Sequence, residues 1–254
     1  MTLPPQPDAL RSRSAVTLLI AVVMIALPLR LFVAGRAEMI SRDGAVFIWY
    51  AQGLQRDAPA ELRAQKQHPL YPAMILSAHE VLESARAVLP VLPADAVKSW
   101  IAAAVAVTLI GGLAVVVAVY LLARMLFDER VALIAALLAA VAAEFCQLSG
   151  DALTDMPHLA MYLFALAAGI RGVRDRSYCW LVVAGLLSGM AYLVRPEGAE
   201  AAVVAAAGCL LAGRNIPLRR RIADVLAVCL AAGAVASPYM AVTGKLVPKK
   251  PLGR

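Results

Sequence analysis

Charged residues are scarce in this chain, and their scarcity excludes an ordinary soluble domain. Only 16% of the 254 residues are charged, whereas 62% are hydrophobic, and the mean hydropathy is +0.76. Soluble domains are roughly one quarter charged and about half apolar. A single soluble core cannot bury so much apolar surface, because the buried fraction is limited by chain length. The composition therefore predicts an integral membrane protein with several transmembrane helices.

Cysteine is also scarce, and no pair of cysteines has the CxxC spacing of a redox or zinc site. The four cysteines lie in or beside apolar runs, where they are typical of small buried side chains. The net charge is +7, but the basic residues interrupt apolar runs and form no single patch. Their distribution indicates membrane topology and excludes nucleic acid as a predicted partner.

The apolar residues come in blocks of helical length, so the predicted fold is all-α, a polytopic transmembrane bundle of about seven helices. The two shortest blocks fall below the roughly 20 residues that a span needs. Residues 1–14 are expected to form a disordered cytoplasmic tail, and residues 243–254 an outer C-terminal tail. The predicted spans are Ala15–Ala34, Ser99–Ala123, Val131–Leu148, Met156–Ile170, Tyr178–Val194, Ala199–Gly213 and Ile222–Val242.

Arginine is distributed unequally between alternate loops, and this predicts the orientation. Arginines cluster before the first span and at residues 124–130, 171–176 and 214–221, whereas residues 149–155 contain no Lys or Arg. By the positive-inside rule the arginine-rich side is cytoplasmic. The protein is then a multi-pass protein of the plasma or inner membrane, with its N-terminus in the cytoplasm. The long stretch 35–98, here named the polar segment, lies outside.

The polar segment contains two stretches that predict short helices in the membrane interface. Ala45–Leu54 is apolar and includes Trp49, and the sequence Gln67–Pro72 stiffens the start of a second amphipathic helix. Gly44 is expected to permit a sharp turn after the first span. A turn at Asp43-Gly44 is the structural alternative to any chemical role of Asp43.

Ionisable residues gather in three turns on the predicted outer side, the first of which lies in the polar segment together with His68. Charged groups at a membrane boundary are expensive to desolvate and are therefore often functional. The candidate site residues are Arg42, Asp43, His68, Asp151, Asp155, Arg195 and Glu197.

These residue types suit the transfer of a sugar to a hydroxyl group. A carboxylate such as Asp43 can remove the acceptor proton while the anomeric carbon is attacked. Cations such as Arg42 and Arg195 can stabilise a departing phosphate. A lipid-linked donor would place this chemistry at the membrane surface, because its tail partitions into the bilayer.

Structural roles compete with these functional ones, and the sequence leaves both open. Asp151 and Asp155 could cap the helix predicted to begin at Met156. Arg195 and Glu197 could neutralise each other as a pair. Gly111-Gly112, inside the second predicted span, is expected to permit close helix packing, because no strand precedes it as in a phosphate-binding loop.

Taken in order, the motifs resemble those of a known family. An N-terminal helix, Asp43 in the first outer loop, the His-Pro-Leu-Tyr-Pro stretch from His68, an acidic outer turn and an Arg-Pro-Glu-Gly turn follow one another. This order is similar to that of GT-C membrane glycosyltransferases of the protein mannosyltransferase and aminoarabinose transferase type. The resemblance implies a polyprenyl-phosphate-linked sugar as donor and a lipid, glycan or protein acceptor. It also implies inversion at the anomeric carbon, with Asp43 as general base, and Asp155 matches the family's acidic position.

Length is the departure from that resemblance. Such enzymes usually carry eleven or more helices, so the chain is expected to be an N-terminal module or a catalytically incomplete fragment. The alternative from another class is a transporter or flippase-like subunit. Against it, the charges lie at outer turns and the sequence shows no inverted repeat. No cofactor and no metal site is predicted, although the aspartates leave a divalent cation open.

Overall fold

A computed structural model describes residues 9–36, 39–86, 88, 95–211 and 216–244, and within these ranges the regular structure is helical. Ten α-helices and one 3-10 turn, at Pro196–Gly198, follow one another in this part of the chain. The helices are α1 Ala9–Arg36, α2 Arg42–Ala64, α3 Leu70–Arg86, α4 Ala96–Leu126, α5 Glu129–Val141, α6 Ala143–Gly150, α7 Asp155–Asp175, α8 Tyr178–Val194, α9 Ala199–Leu211 and α10 Leu218–Thr243.

The all-α polytopic prediction is confirmed. Among the described residues, four helices are long and apolar enough to cross a membrane, namely α1, α4, α7 and α10. A fifth span is added if α5 and α6 are counted together. Helices α8 and α9, with 17 and 13 residues, coincide with two further predicted spans but are shorter than the roughly 20 residues a span needs.

The predicted third span is broken, so its prediction as one continuous helix is wrong. Helices α5 and α6 meet at Ala142 with a bend of 54°. The last carbonyl groups of α5 lack partners within their own helix and need donors from elsewhere. The fully buried Arg30 of α1 supplies them, because its guanidinium donates to the carbonyl oxygens of Ala140 at 2.8 Å and Ala139 at 3.2 Å.

Two adjacent glycines let α4 pack closely against its neighbours, as predicted. A Cβ atom on Gly111 would lie only 2.6 Å from the backbone nitrogen of Pro157 in α7. A Cβ atom on Gly112 would collide with the side chain of Ser149 in α6. Small residues of this kind allow helix backbones to approach each other in a membrane.

The described part of the polar segment forms α2 and α3, which pack on the N-terminal half of α4. Phe47 and Tyr71 meet edge to face with ring centroids 5.1 Å apart, and both belong to a core cluster that includes Trp100. The two predicted helices are therefore present, while their position in the interface stays a prediction. Trp49 is 67% exposed, as such a position requires.

The expected turn at Gly44 is wrong. The side chain of Ser41 accepts a hydrogen bond from the Gly44 N–H at 3.1 Å and caps α2, which therefore begins at Arg42. Gly44 is buried inside this helix, where a Cβ atom would lie 2.9 Å from the Cβ of Ala152. The glycine is required for close approach and not for a turn.

The predicted tails fall largely outside the described residues. Helix α1 begins at Ala9, so it includes residues 9–14 of the predicted cytoplasmic tail. Residues 1–8 and 245–254 are not among the residues described.

Gly111→Ala is expected to destabilise the bundle by about 1–3 kcal/mol, because the new methyl group meets backbone atoms of α7. The measurement is the thermal unfolding temperature of the detergent-solubilised protein. Gly35→Ala is the matched control, since no heavy atom lies within 4 Å of its added Cβ. In Gly35→Ala the higher helix propensity of alanine should stabilise the folded protein by up to ~1 kcal/mol. Equal effects of the two substitutions would contradict the packing interpretation.

Candidate functional site

The turn between α6 and α7, residues 151–154 and here named the acidic turn, binds the start of the polar segment. Asp151 Oδ1 accepts hydrogen bonds from the N–H of Ala152 at 2.7 Å and from the N–H of Ser41 at 3.1 Å. Because Ser41 directly precedes α2, this one carboxylate oxygen fixes where that helix begins. Asp151 thus has a structural contact, and its predicted role in substrate binding stays a prediction.

Asp43 lies in the first turn of α2, between two residues that contact the α6–α7 turn. Ser41 is bound by Asp151, and Gly44 packs against Ala152. The Asp43 side chain itself is exposed, as is that of Arg42. A carboxylate in the first turn of a helix interacts favourably with the helix dipole. The contacts therefore leave Asp43 open to solvent while its backbone is held.

Asp155 and Arg195 form an ion pair across 40 positions of sequence. Arg195 Nη1 lies 2.8 Å from Asp155 Oδ1, and Nη2 lies 3.4 Å from Oδ2. The alternative pairing of Arg195 with Glu197 is wrong, because among the described residues Arg195 pairs with Asp155, while Glu197 lies exposed in the 3-10 turn. The capping alternative is wrong as well, since Thr154 occupies the N-cap position of α7.

A buried hydroxyl pair fixes the other side of this turn. The Tyr71 hydroxyl lies 2.9 Å from Thr108 Oγ1, which is 3.2 Å from the carbonyl oxygen of Leu153. The polar segment, α4 and the acidic turn are therefore joined by one chain of hydrogen bonds. Tyr71 was named in the sequence only as part of a motif, and Thr108 was not singled out.

His68 is buried at the junction of the polar segment with α8 and α10. Its ring lies 5.0 Å from that of Tyr192 and 5.8 Å from that of Tyr239, measured between centroids. Neither ring nitrogen has a hydrogen-bond partner among the described residues. Burial lowers the pKa of His68 to about 4, although Glu197 opposes that shift, so the ring is neutral at pH 7.

An apolar cleft of about 170 Å³ borders this histidine cluster. It lies between α8, α9 and α10, and Tyr192 belongs both to its lining and to the surroundings of His68. The remaining lining is mostly alanine and glycine, together with Ser188 and Met240. Such a surface suits a hydrocarbon chain better than a charged group.

The structure thus brings most of the predicted site residues into two adjoining groups. Asp43, Asp151, Asp155 and Arg195 surround the α6–α7 turn through the contacts given above. His68 lies with two tyrosines, Tyr192 and Tyr239, and Glu197 lies near it. Within the described residues, no group of three or more His, Cys, Asp or Glu could hold a metal ion.

Sequence reasoning missed Tyr50, Tyr192 and Tyr239, and it gave no role to His158. The tyrosines lie inside apolar stretches, where an aromatic residue is ordinarily part of a core. His158 was visible beside the acidic turn, one helical turn after Asp155, and its charge-bearing neighbours would have been the signal.

The protein should lose stability on acidification because His68 is buried in its neutral form. The unfolded chain binds a proton near pH 6.5 and the folded chain only near pH 4, so stability present at pH 7 is lost as the pH falls through that interval. The full effect is up to ~3 kcal/mol. Thermal unfolding between pH 7.5 and 4.5 should show a smaller loss for His68→Phe than for the unchanged protein. Equal losses would contradict the assignment.

The sequence was compared with known protein families. The family described as "Dolichyl-phosphate-mannose-protein mannosyltransferase" matches residues 96–241, which is more than half of the chain. A comparison with curated proteins finds no match. The matched region begins with α4 and includes the acidic turn, Arg195 and the apolar cleft. The resemblance inferred from motif order is confirmed, and the chain belongs to the dolichyl-phosphate-mannose-protein mannosyltransferase family of multi-pass membrane glycosyltransferases.

Proposed function

We propose that this protein transfers a sugar from a polyprenyl-phosphate donor to a hydroxyl group of a lipid, glycan or protein. The transfer inverts the anomeric carbon and takes place on the outer face of the membrane. Family membership supports glycosyl transfer in general. The observation that carries the finer proposal is the placement of Asp43, which is exposed on a helix whose start is fixed to the acidic turn.

Asp43 acts as the general base in this proposal. Its carboxylate takes the proton of the acceptor hydroxyl while that oxygen attacks the anomeric carbon. The bond between the anomeric carbon and the phosphate oxygen breaks, and the phosphate leaves with the electron pair. A base of this kind must be held in position yet open to the acceptor. The hydrogen bond from Ser41 to Asp151 provides the first condition, and exposure of Asp43 provides the second.

Arg195 receives the departing phosphate. Its guanidinium has five N–H donors, of which the ion pair with Asp155 engages two. The pair therefore orients the side chain while donors remain for phosphate oxygens. Arg42, exposed beside Asp43, supplies a second positive charge at the mouth of the site.

The arrangement of arginines supports an outer location for the site. Arg220 donates to the carbonyl oxygen of Arg176 at 3.0 Å, so the two arginine-rich loops of the second half lie together. The Asp155–Arg195 pair lies at the opposite ends of the helices that bear them. By the positive-inside rule, the end with Arg176 and Arg220 faces the cytoplasm.

Asp43→Asn is expected to retain the fold and donor binding but to lower transfer by ~10²–10⁴-fold. The amide is nearly isosteric with the carboxylate, yet it cannot accept the proton. The assay follows release of polyprenyl phosphate from a sugar-bearing lipid in membranes that carry this chain. Glu80→Gln, which neutralises an exposed carboxylate on α3, is the matched control and should leave the rate unchanged. Full activity of Asp43→Asn would overturn the base assignment.

Arg195→Ala is expected to weaken use of the donor by roughly 10–100-fold, since hydrogen bonds to charged groups contribute about 1.5–3 kcal/mol. The loss of donor use in Arg195→Lys should be smaller than in Arg195→Ala, because lysine keeps the charge but not the two hydrogen bonds to Asp155. The measurement is kcat/KM for the lipid donor, with Arg56→Ala, at an exposed site on α2, as the control. Unchanged donor dependence in Arg195→Ala would exclude a phosphate contact.

A further inference from the structure

Two buried polar side chains of the polar segment, Tyr50 and His68, have no hydrogen-bond partner in the described part of the chain. The Tyr50 hydroxyl and both ring nitrogens of His68 make no hydrogen bond, although Tyr50 is 0% exposed and His68 only 5%. An unsatisfied buried polar group costs about 1–3 kcal/mol. Natural proteins therefore rarely keep such groups unless a ligand, a water molecule or a chemical function explains them.

The two side chains belong to one neighbourhood. Burial raises the pKa of Tyr50, and so do Tyr239 and Glu61, which lie close enough to disfavour a phenolate. The Tyr239 ring also lies 5.8 Å from that of His68. Tyr50 on α2 and His68 before α3 thus share a neighbour on α10, and Tyr192 of α8 completes an aromatic wall.

The chemistry of these groups selects one class of ligand. A neutral imidazole offers one donor and one acceptor, and a phenol offers the same pair. Phosphate would need donors alone, and an ammonium group would need acceptors alone. A hydroxyl group both donates and accepts, so several hydroxyls on one small molecule match the set. Aromatic rings beside such groups are typical of sites that enclose a partly apolar, partly polar ring.

The position agrees with a sugar that is attached to a lipid phosphate. Glu197, which influences His68, lies two residues after Arg195, the proposed phosphate ligand. Tyr192 borders both the His68 ring and the apolar cleft between α8, α9 and α10. Hydroxyl-binding groups, a cation and a hydrocarbon surface therefore adjoin one another.

We propose that Tyr50 and His68 form a recognition site for the hydroxyl groups of the donor sugar. This rests on the proposed function, because it names the side chains that contact the sugar at the same site. The aromatic rings of Tyr192 and Tyr239 form the walls of that recognition site. The sugar hydroxyls supply the partners that Tyr50 and His68 otherwise lack.

The test compares thermal unfolding of the full chain with two kinds of lipid. One is a polyprenyl phosphate without sugar, and the other is the same lipid carrying mannose, glucose, galactose or arabinose. At least one glycosylated lipid should raise the unfolding temperature beyond the rise given by the bare lipid phosphate. No additional rise with any of the four sugars would overturn the proposal.

Tyr50→Phe and His68→Phe should abolish that additional rise, with affinity for the preferred sugar lipid weakened by about five- to tenfold per lost hydrogen bond. In the absence of lipid, both variants should unfold at the same temperature as the unchanged protein or at a higher one. An unsatisfied polar group has then been replaced by an apolar group of similar shape. A lower unfolding temperature with the additional rise retained would indicate an ordered water only, and would overturn the proposal.

Tyr120→Phe is the matched control. Tyr120 is equally buried, at 2% exposed, but its hydroxyl accepts a hydrogen bond from Arg124 at 3.3 Å toward the other end of α4. This variant should keep the additional rise and gain no stability. Loss of the additional rise in Tyr120→Phe as well would show a general loss of folding quality and contradict the assignment to Tyr50 and His68.

Failure of this proposal can be separated from failure of the proposed function. Asp43→Asn should keep the sugar-dependent rise while losing transfer, because binding does not require the base. A rise without transfer in the unchanged chain would sink the transferase proposal and leave sugar recognition standing. Transfer without any sugar-dependent rise would overturn sugar recognition by Tyr50 and His68 and leave the transferase proposal standing.

Discussion

The hydrogen bonds between the Arg30 guanidinium and the end of α5 are the constraint on which the site depends. A helix that ends within a membrane leaves carbonyl groups that no water can satisfy. Arg30 satisfies two of them and so allows the chain to bend at Ala142. The bend directs α6 towards α1, where Gly150 approaches the backbone of Ala34 closely. The acidic turn that follows is thereby delivered to the start of the polar segment.

Several weak contacts then assemble a site that no single element could hold. Asp151 binds the residue before α2, and Asp155 orients Arg195. The Tyr71–Thr108 pair holds the acidic turn through the carbonyl oxygen of Leu153. Each contact joins positions that are far apart in sequence. Partly exposed ion pairs contribute little to stability. Their value in this protein is geometric, since they fix the direction of side chains that face an open surface.

Sequence patterns predicted the elements well and the contacts poorly, for physical reasons. Long apolar blocks identify helices because lipid demands them, and Trp49 with the following prolines identified the polar-segment helices. The break at Ala142 carries no proline or glycine, so nothing local announces it. Arg195 pairs with Asp155, 40 positions away, and not with Glu197, two positions away. Tyr192 and Tyr239 looked like core residues, because the histidine beside which they lie belongs to a distant part of the sequence.

The long-range clasps of the polar segment dictate an order of assembly. Ser41 binds a residue 110 positions later, and Arg63 donates to the carbonyl oxygen of Val242, 179 positions later. At about 5–20 residues per second, synthesis leaves α2 without its second clasp for roughly 10–35 s. Until α3 and α4 have followed, the apolar side chains of α2, such as Phe47, have no protein to cover them, and an amphipathic helix in that state rests on lipid. The membrane surface is thus the first binding partner of this helix, and the bundle is the second.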